Sequence, residues 1–468
     1  MMSKKNIYFS LLLVIAVVSY AVMALRDSSS QASETEQKAG TEVTLEFWGL
    51  WDSSDSWKEI IRRFEEEKHV WNGQEVKVSI NYTKKNIGTY ETDLEAAYAE
   101  GKSPSIFMIS NYWLERYADK LEPLSGKVSD IEEYGLLDYE ELQETFPPYI
   151  LRDAIRDDNQ MYAVPVYTDS LALYYNKDLF RKAGIETAPT TWEELKADVK
   201  KLTFLEQRKK ITQSGVALGG GKNISRSCDI LSLLMMQGGG KIVDAEGNAD
   251  FNKSIEVKTT SGTQTREPGI TAIRFYTEFS DPDKEVYSWN ESKDNSVQDF
   301  ISGKTAMMFG FNYQRSDILI SQPAFGVGIA PVPQIPNSTA IDISNHWFPV
   351  ASDQADCTVT SGDARSVDCK KIAWSFMSFA AEKDNVTEYL SATGKAAART
   401  DLIAEQAEAE GDLGVFARQA SIARSYDKFD DKIDGILIGM IDAINNDRDG
   451  LREAIDKAAD EIGALKNK

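Results

Sequence analysis

Apolar and polar residues alternate along Val43-Thr44-Leu45-Glu46-Phe47-Trp48, the period-two pattern of a strand with one buried face. A glycine and an acidic loop, Leu50 to Asp55, come next, and Ile60, Ile61 and Phe64 then share one face of a helix over Trp57 to Glu67. A strand over Glu75 to Tyr82, a helix over Tyr90 to Glu100 and an apolar strand over Ser105 to Ile109 follow. Strand, helix, strand, helix, strand predicts an α/β fold with a parallel sheet. Farther on, Met161 to Phe180 reads as two extended runs, Tyr162 to Tyr167 and Leu171 to Tyr175, with Asp169 and Ser170 between them.

The same alternation continues to the end of the chain. Thr191 with Glu194 forms a capping box that opens a helix to about Leu202. Helical spacing also fits Asp229 to Met236, Gly269 to Phe279, Val297 to Ser302, Gly435 to Ile444 and Leu451 to Ile462, and strands fit Gly215 to Leu218, Thr305 to Phe309 and Gly326 to Ile329. No short-period repeat is present, which excludes solenoids and propellers. At 468 residues the chain exceeds one ordinary core, so two domains or two lobes are expected.

The first residues stand apart from this pattern. After Lys4 and Lys5, the uncharged run Ile7 to Leu25 is near the length of a bilayer crossing, with positive charge on the cytoplasmic side. Residues 1–25 are expected to be a retained signal anchor; a cleaved signal peptide is the alternative, since Val22-Met23-Ala24 offers small residues to a peptidase. No cysteine near the end of the run is available for lipid attachment. Residues 26–42 are polar and suit a flexible linker.

Composition narrows the chemistry. A formal charge of −22 repels polyanions and argues against a nucleic-acid partner. With His69 and His346 as the only histidines and three scattered cysteines, neither an HExxH zinc site nor a CxxC pair exists. Gly219-Gly220-Gly221-Lys222-Asn223 lacks the Ser or Thr of a phosphate loop, and no GxSxG elbow occurs. Asp244 to Asn248 reads as a hairpin turn, because Ile255 stands where a calcium loop needs its closing glutamate. No catalytic residue, metal or cofactor is assigned, although paired carboxylates for glycoside hydrolysis are too common here to be diagnostic. Cys357 and Cys369 flank a polar segment and are expected to pair outside the cytoplasm, leaving Cys228 as a buried apolar residue; three unpaired thiols are the alternative.

Seven stretches occur in a telling order: Phe47-Trp48 with its acidic loop, Met161 to Phe180, Thr191 to Glu194, Gln237 to Gly240, Gly303 to Met308, Phe325 to Pro333 and Gly394 to Leu402. In that order the chain resembles the extracellular solute-binding proteins of ABC importers, family 1, of the oligosaccharide or maltose-binding type. The resemblance implies a two-lobed periplasmic-binding-protein fold of type II, with residues 43–167 and 349–400 in the N-terminal lobe and 170–346 and 404–468 in the C-terminal lobe. It implies an interlobe cleft and ligand contacts from Tyr167 and Asp169 on the first crossing strand. Trp51, Asp52 and Asp55 would follow the first strand and Asn111 and Tyr112 the third, at carboxyl ends where α/β folds bind ligands. Phe311, Asn312 and Tyr313 occupy the place of an aromatic platform, Trp347 lies by the second crossing and Arg399 by the third. Trp57 and Trp192, on helices, are expected in the core.

The implied function is capture of a carbohydrate and its delivery to the transmembrane subunits of an ABC permease, by a monomer without chemistry of its own. Ile433 to Leu437 is aliphatic where maltose binders carry aromatic contacts, so a carbohydrate other than maltose is expected. The binding domain would be extracytoplasmic and held to the cell membrane by the N-terminal helix, or secreted or periplasmic after cleavage. A secreted glycan-active enzyme or a ligand-sensing domain on the same scaffold is the alternative.

Overall fold

A computed structural model describes residues 41–244, 246–259, 262–362, 367–426, 432–446 and 450–465. The expected anchor and residues 26–40 of the linker lie outside them. Among the described residues no helix is long and apolar enough to cross a membrane.

The alternating run forms strand β1, Thr41–Gly49, whose Val43, Leu45 and Phe47 are buried. Helix α1, Ser54–Glu66, lays Trp57, Ile60 and Phe64 into the same core. The edge strand β2, His69–Trp71, pairs antiparallel with β3, Gln74–Lys84. After helix α2, Ile87–Ala99, comes β4, Ile106–Ser110, buried throughout. Both β3 and β4 run parallel to β1, and Trp347–Ala351 returns antiparallel beside β4. The β1 loop and the β4 loop therefore leave the same edge of the sheet.

A second sheet is built around β5, Tyr167–Asn176, which pairs with Met307–Phe311, Val327–Ala330, Asp342–Asn345 and Ala396–Ala397. The expected break at Asp169 and Ser170 is absent, since one continuous strand runs through them. The expected strand over Tyr162 to Val166 is likewise not formed. Pro165 has no N–H to donate, and this segment touches the first sheet through the single Ala163–Val350 bridge and Val164 N–H to Pro349 C=O. Gly215 to Leu218 makes no ladder either; Ala217 N–H reaches Met307 C=O alone.

Two hydrophobic cores result. One gathers residues from Val43 to Tyr167 and from Phe348 to Ile403, with Ala423, and the other gathers residues from Leu171 to Ile343 and from Phe416 to Ile462, with Ala396. Between Tyr167 in one core and Leu171 in the other, the chain crosses with two companions, Asp169 opposite Asn345 and Thr168 opposite Ala396. The Thr191–Glu194 capping box opens Trp192–Leu202 as expected, and Trp57 and Trp192 are core residues. Val243 and Ala249 bridge antiparallel, and Asp244 N–H donates to Asn248 C=O, the pairing of a hairpin. The Gly219–Gly221 run is glycine for close packing: side chains there would strike Ser280, Asn223 and Asp442.

Gly49 ends β1 beneath the Tyr82 ring, and a Cβ there would lie 2.0 Å from the Tyr82 hydroxyl oxygen. That hydroxyl donates to Asp52 C=O at 2.9 Å, so Gly49→Ala must displace both the ring and the loop. Overpacking of this kind is expected to cost about 1–3 kcal/mol, measurable by urea denaturation.

Cys357 and Cys369 are bonded, and Cys228 is buried and outside the bridge. Thr358–Ser361, inside the loop so closed, pairs with Glu42–Thr44, at the opposite end of β1 from the Trp51 loop. Replacing both cysteines by serine is expected to cost about 3 kcal/mol through the larger entropy of the unfolded chain. Solute affinity measured on the folded variant should stay unchanged.

Candidate functional site

Loop Leu50 to Ser53 turns over the carboxyl end of β1. Leu50 is held in the core, which turns Trp51 outward to 41 % exposure. From the second lobe, Met307–Phe311 leads directly into helix Asn312–Ile320, whose second residue, Tyr313, is 43 % exposed. The two rings face each other across the lobes with centroids 6.4 Å and planes 25° apart. Trp347, on the second crossing, meets Trp51 edge-on at 5.3 Å and Trp113 at 4.9 Å. Three aromatic side chains from both lobes and the hinge thus converge on one place.

A cavity lies beside the β4 loop. Tyr112 donates its hydroxyl to Ser344 C=O at 3.2 Å and packs against Tyr426 of the second lobe, centroids 5.0 Å apart. Asn111 donates its amide to Asp153 at 3.1 Å. Asn111, Tyr112, Asp153 and Tyr426, with Asp244 and Ser425, line an open cavity of about 630 Å³.

Several predicted site residues serve the frame around these rings. The Asp52 carboxylate accepts from Lys395 Nζ at 2.7 and 2.9 Å and from the Tyr389 hydroxyl at 2.6 Å. The same ammonium lies 3.7 Å over the face of Tyr167, a ring that is only 4 % exposed. Burial pulls the Lys395 pKa down while Asp52 pushes it up. Asp169 accepts from the backbone N–H groups of Ser170, Asn312 and Tyr313. Asn312 donates its amide to Gly394 C=O at 2.8 Å, tying its helix to the third crossing. Phe311 is fully buried. Asp55 lies exposed in the first turn of α1. Arg399 bonds Asp401 and Ala381 C=O, within the first lobe.

Five further residues around the site were not singled out from the sequence. Arg226 lies 5.6 Å over Tyr313 and 5.7 Å over Phe311 and pairs with Asp229 at 3.4 Å, and Tyr426 donates to Asp229 at 3.2 Å. Lys395 and Asp153 complete the set. For Lys395 there was a signal: it is the one large charged side chain before the small run Ala396-Ala397-Ala398. His346 is buried beside Asp153 at 3.4 Å, and burial lowers its pKa to about 3, so the ring is neutral.

Flat aromatic faces beside amide, hydroxyl and carboxylate groups can stack on the C–H face of a sugar ring and bond its hydroxyls. Residues 51–387 match the family model described as bacterial extracellular solute-binding protein. A binding protein of Brucella abortus is 26 % identical over 277 residues, 58 % of this chain and 60 % of that protein's length. Diacetylchitobiose binding protein DasA of Streptomyces coelicolor is 22 % identical over 318 residues, 66 % of each chain. Among solved structures, the cyclic alpha-maltosyl-1,6-maltose binding protein of Arthrobacter globiformis has a TM-score of 0.69 at 19 % identity, covering 91 % of this chain and 100 % of that one. The GacH receptor of Streptomyces glaucescens has a TM-score of 0.66 at 19 % identity, covering 91 % and 98 %. These likenesses bear out the two-lobed periplasmic-binding-protein fold expected from the sequence. With that frame, and with the family match spanning well over half its length, the chain belongs to the bacterial extracellular solute-binding protein family.

Proposed function

We propose that the protein captures a carbohydrate between its lobes and delivers it to the transmembrane subunits of an ABC permease, without transforming it. The observation that carries this reading is the pair of exposed rings, Trp51 and Tyr313, that face each other from opposite lobes. At 6.4 Å the two rings touch each other, so a sugar enters as the lobes part and then meets one ring from each lobe, with Trp347 beside them and Tyr112 and Asn111 in the neighbouring cavity. Relatives support the solute class: one is a diacetylchitobiose binding protein and another, from Pyrococcus abyssi, a maltotriose-binding protein 28 % identical over 113 residues.

Family membership puts the binding domain outside the cytoplasm. The apolar run Ile7 to Leu25 would hold it to the membrane as a monomer on a polar tether, with solute binding confined to the two lobes. In this reading Asp52, Tyr167, Asp169, Phe311 and Asn312 shape the cleft from behind its surface, and Arg399 braces the first lobe.

A thermal-shift screen tests the solute class. A ligand at a hundred times its Kd stabilises the folded state by about 2.7 kcal/mol. Maltooligosaccharides and chitooligosaccharides should include at least one compound that raises Tm by several degrees. A rise with amino acids or peptides and with no carbohydrate would overturn the reading.

A further inference from the structure

Tyr313 points into the cleft because of an acid that does not. Asp169 lies on the first crossing strand and is 6 % exposed. One carboxylate oxygen accepts from Ser170 N–H at 2.9 Å and Asn312 N–H at 2.7 Å, and the other accepts from Tyr313 N–H at 3.0 Å. Asn312 and Tyr313 are the first two residues of helix Asn312–Ile320, whose first-turn N–H groups have no partner within the helix. Phe311, just before the helix, has no side-chain oxygen to offer them. The acid from the hinge supplies those acceptors instead, with its charge at the positive end of the helix dipole.

The charged and titratable groups facing this carboxylate come from every neighbouring element. Lys395 on the third crossing favours the ionised form, and Asp342 on Asp342–Asn345 opposes it. Tyr167 and Tyr174 on β5 and Tyr313 on the helix complete the surroundings. Burial is the largest influence and pushes the Asp169 carboxyl up to about 7, against the pull of the three N–H groups and Lys395. A protonated carboxyl presents an O–H where an N–H donor needs an acceptor, so gaining a proton breaks part of the cap.

We propose that Asp169 is the positioning residue of the cleft: its carboxylate reaches the solute only through Tyr313, and protonating it releases that ring and weakens capture. The effect on capture rests on the carbohydrate reading above, whereas the helix cap does not.

Amide hydrogen exchange on the full chain tests the cap without any solute. After correction for intrinsic rates, protection of Asn312 and Tyr313 should fall about tenfold, one charge-assisted hydrogen bond, between about pH 8.5 and about pH 5.5. Asp169→Asn at the higher pH should resemble the wild type at the lower one. Protection that is flat with pH in the wild type overturns the proposal even if the variant does not fold. Calorimetry with maltotriose and with diacetylchitobiose then tests the route to the solute. Asp169→Asn should weaken binding about tenfold in the wild type and leave it unchanged in a Tyr313→Ala background. Equal losses in both backgrounds would mean that Asp169 touches the sugar, and would overturn it. If neither sugar binds, the carbohydrate reading loses support while the exchange result still decides the cap.

Discussion

Replacing Lys395 by methionine is expected to destabilise the protein by about 3–5 kcal/mol, the range for a buried charge stripped of its partner. The Lys395 and Asp52 side chains are each 11 % exposed, 2.7 Å apart at the closest atoms. Methionine keeps most of the volume but leaves Asp52 with the Tyr389 hydroxyl alone, and it removes the cation from the Tyr167 face. The loss reaches the cleft, because Asp52 adjoins Trp51 and Lys395 adjoins the third crossing. Urea denaturation should show a lower midpoint with an unchanged slope. Asp52→Asn combined with Lys395→Met should recover most of the loss, since replacing both ions at once removes the uncompensated charge. A single variant within about 1 kcal/mol of the wild type, the scale of an exposed ion pair, would show that this pair does not hold the hinge.

Trp51→Ala and Tyr313→Ala should leave the melting transition nearly unchanged, because both rings are more than a third exposed. Their effect falls on binding. Truncating an aromatic anchor commonly costs about 2 kcal/mol or more, roughly thirtyfold in affinity. The two losses should not add: with one ring gone, the sugar keeps only one stacking face, and the second truncation removes a contact already loosened. Trp347→Ala should behave differently, because its ring also packs on Trp113 and its loss opens a void in the first lobe.

The parts of this structure that were legible in the sequence are those decided locally. Strand β1 follows from its own alternation, and helix Trp192–Leu202 from Thr191 and Glu194 three residues apart. Trp51, Tyr313 and Trp347 were picked out by position, and the fold brings their rings together; Tyr112, also picked out, lines the cavity beside Asn111. Tyr162 to Val166 was misread because composition favours a strand there while Pro165 cannot complete a ladder. The tasks of the acids were not legible because their partners are remote. Asp169 meets Asn312 across 143 positions and Asp52 meets Lys395 across 343, so only the folded chain distinguishes an acid that caps a helix from one that faces a solute. Arg226 was hidden for the same reason, its ring partners Phe311 and Tyr313 lying in a distant segment.

Capture of a carbohydrate by Trp51 and Tyr313 is decided by isothermal titration of the sugar selected in the thermal screen. The wild type and the Trp51→Ala/Tyr313→Ala double variant are compared. The wild type should show one site per chain and an unaltered sugar afterwards, with affinity in the folded double variant reduced at least thirtyfold, the cost of about one aromatic anchor. Undiminished binding by the double variant, or conversion of the sugar by the wild type, would contradict it.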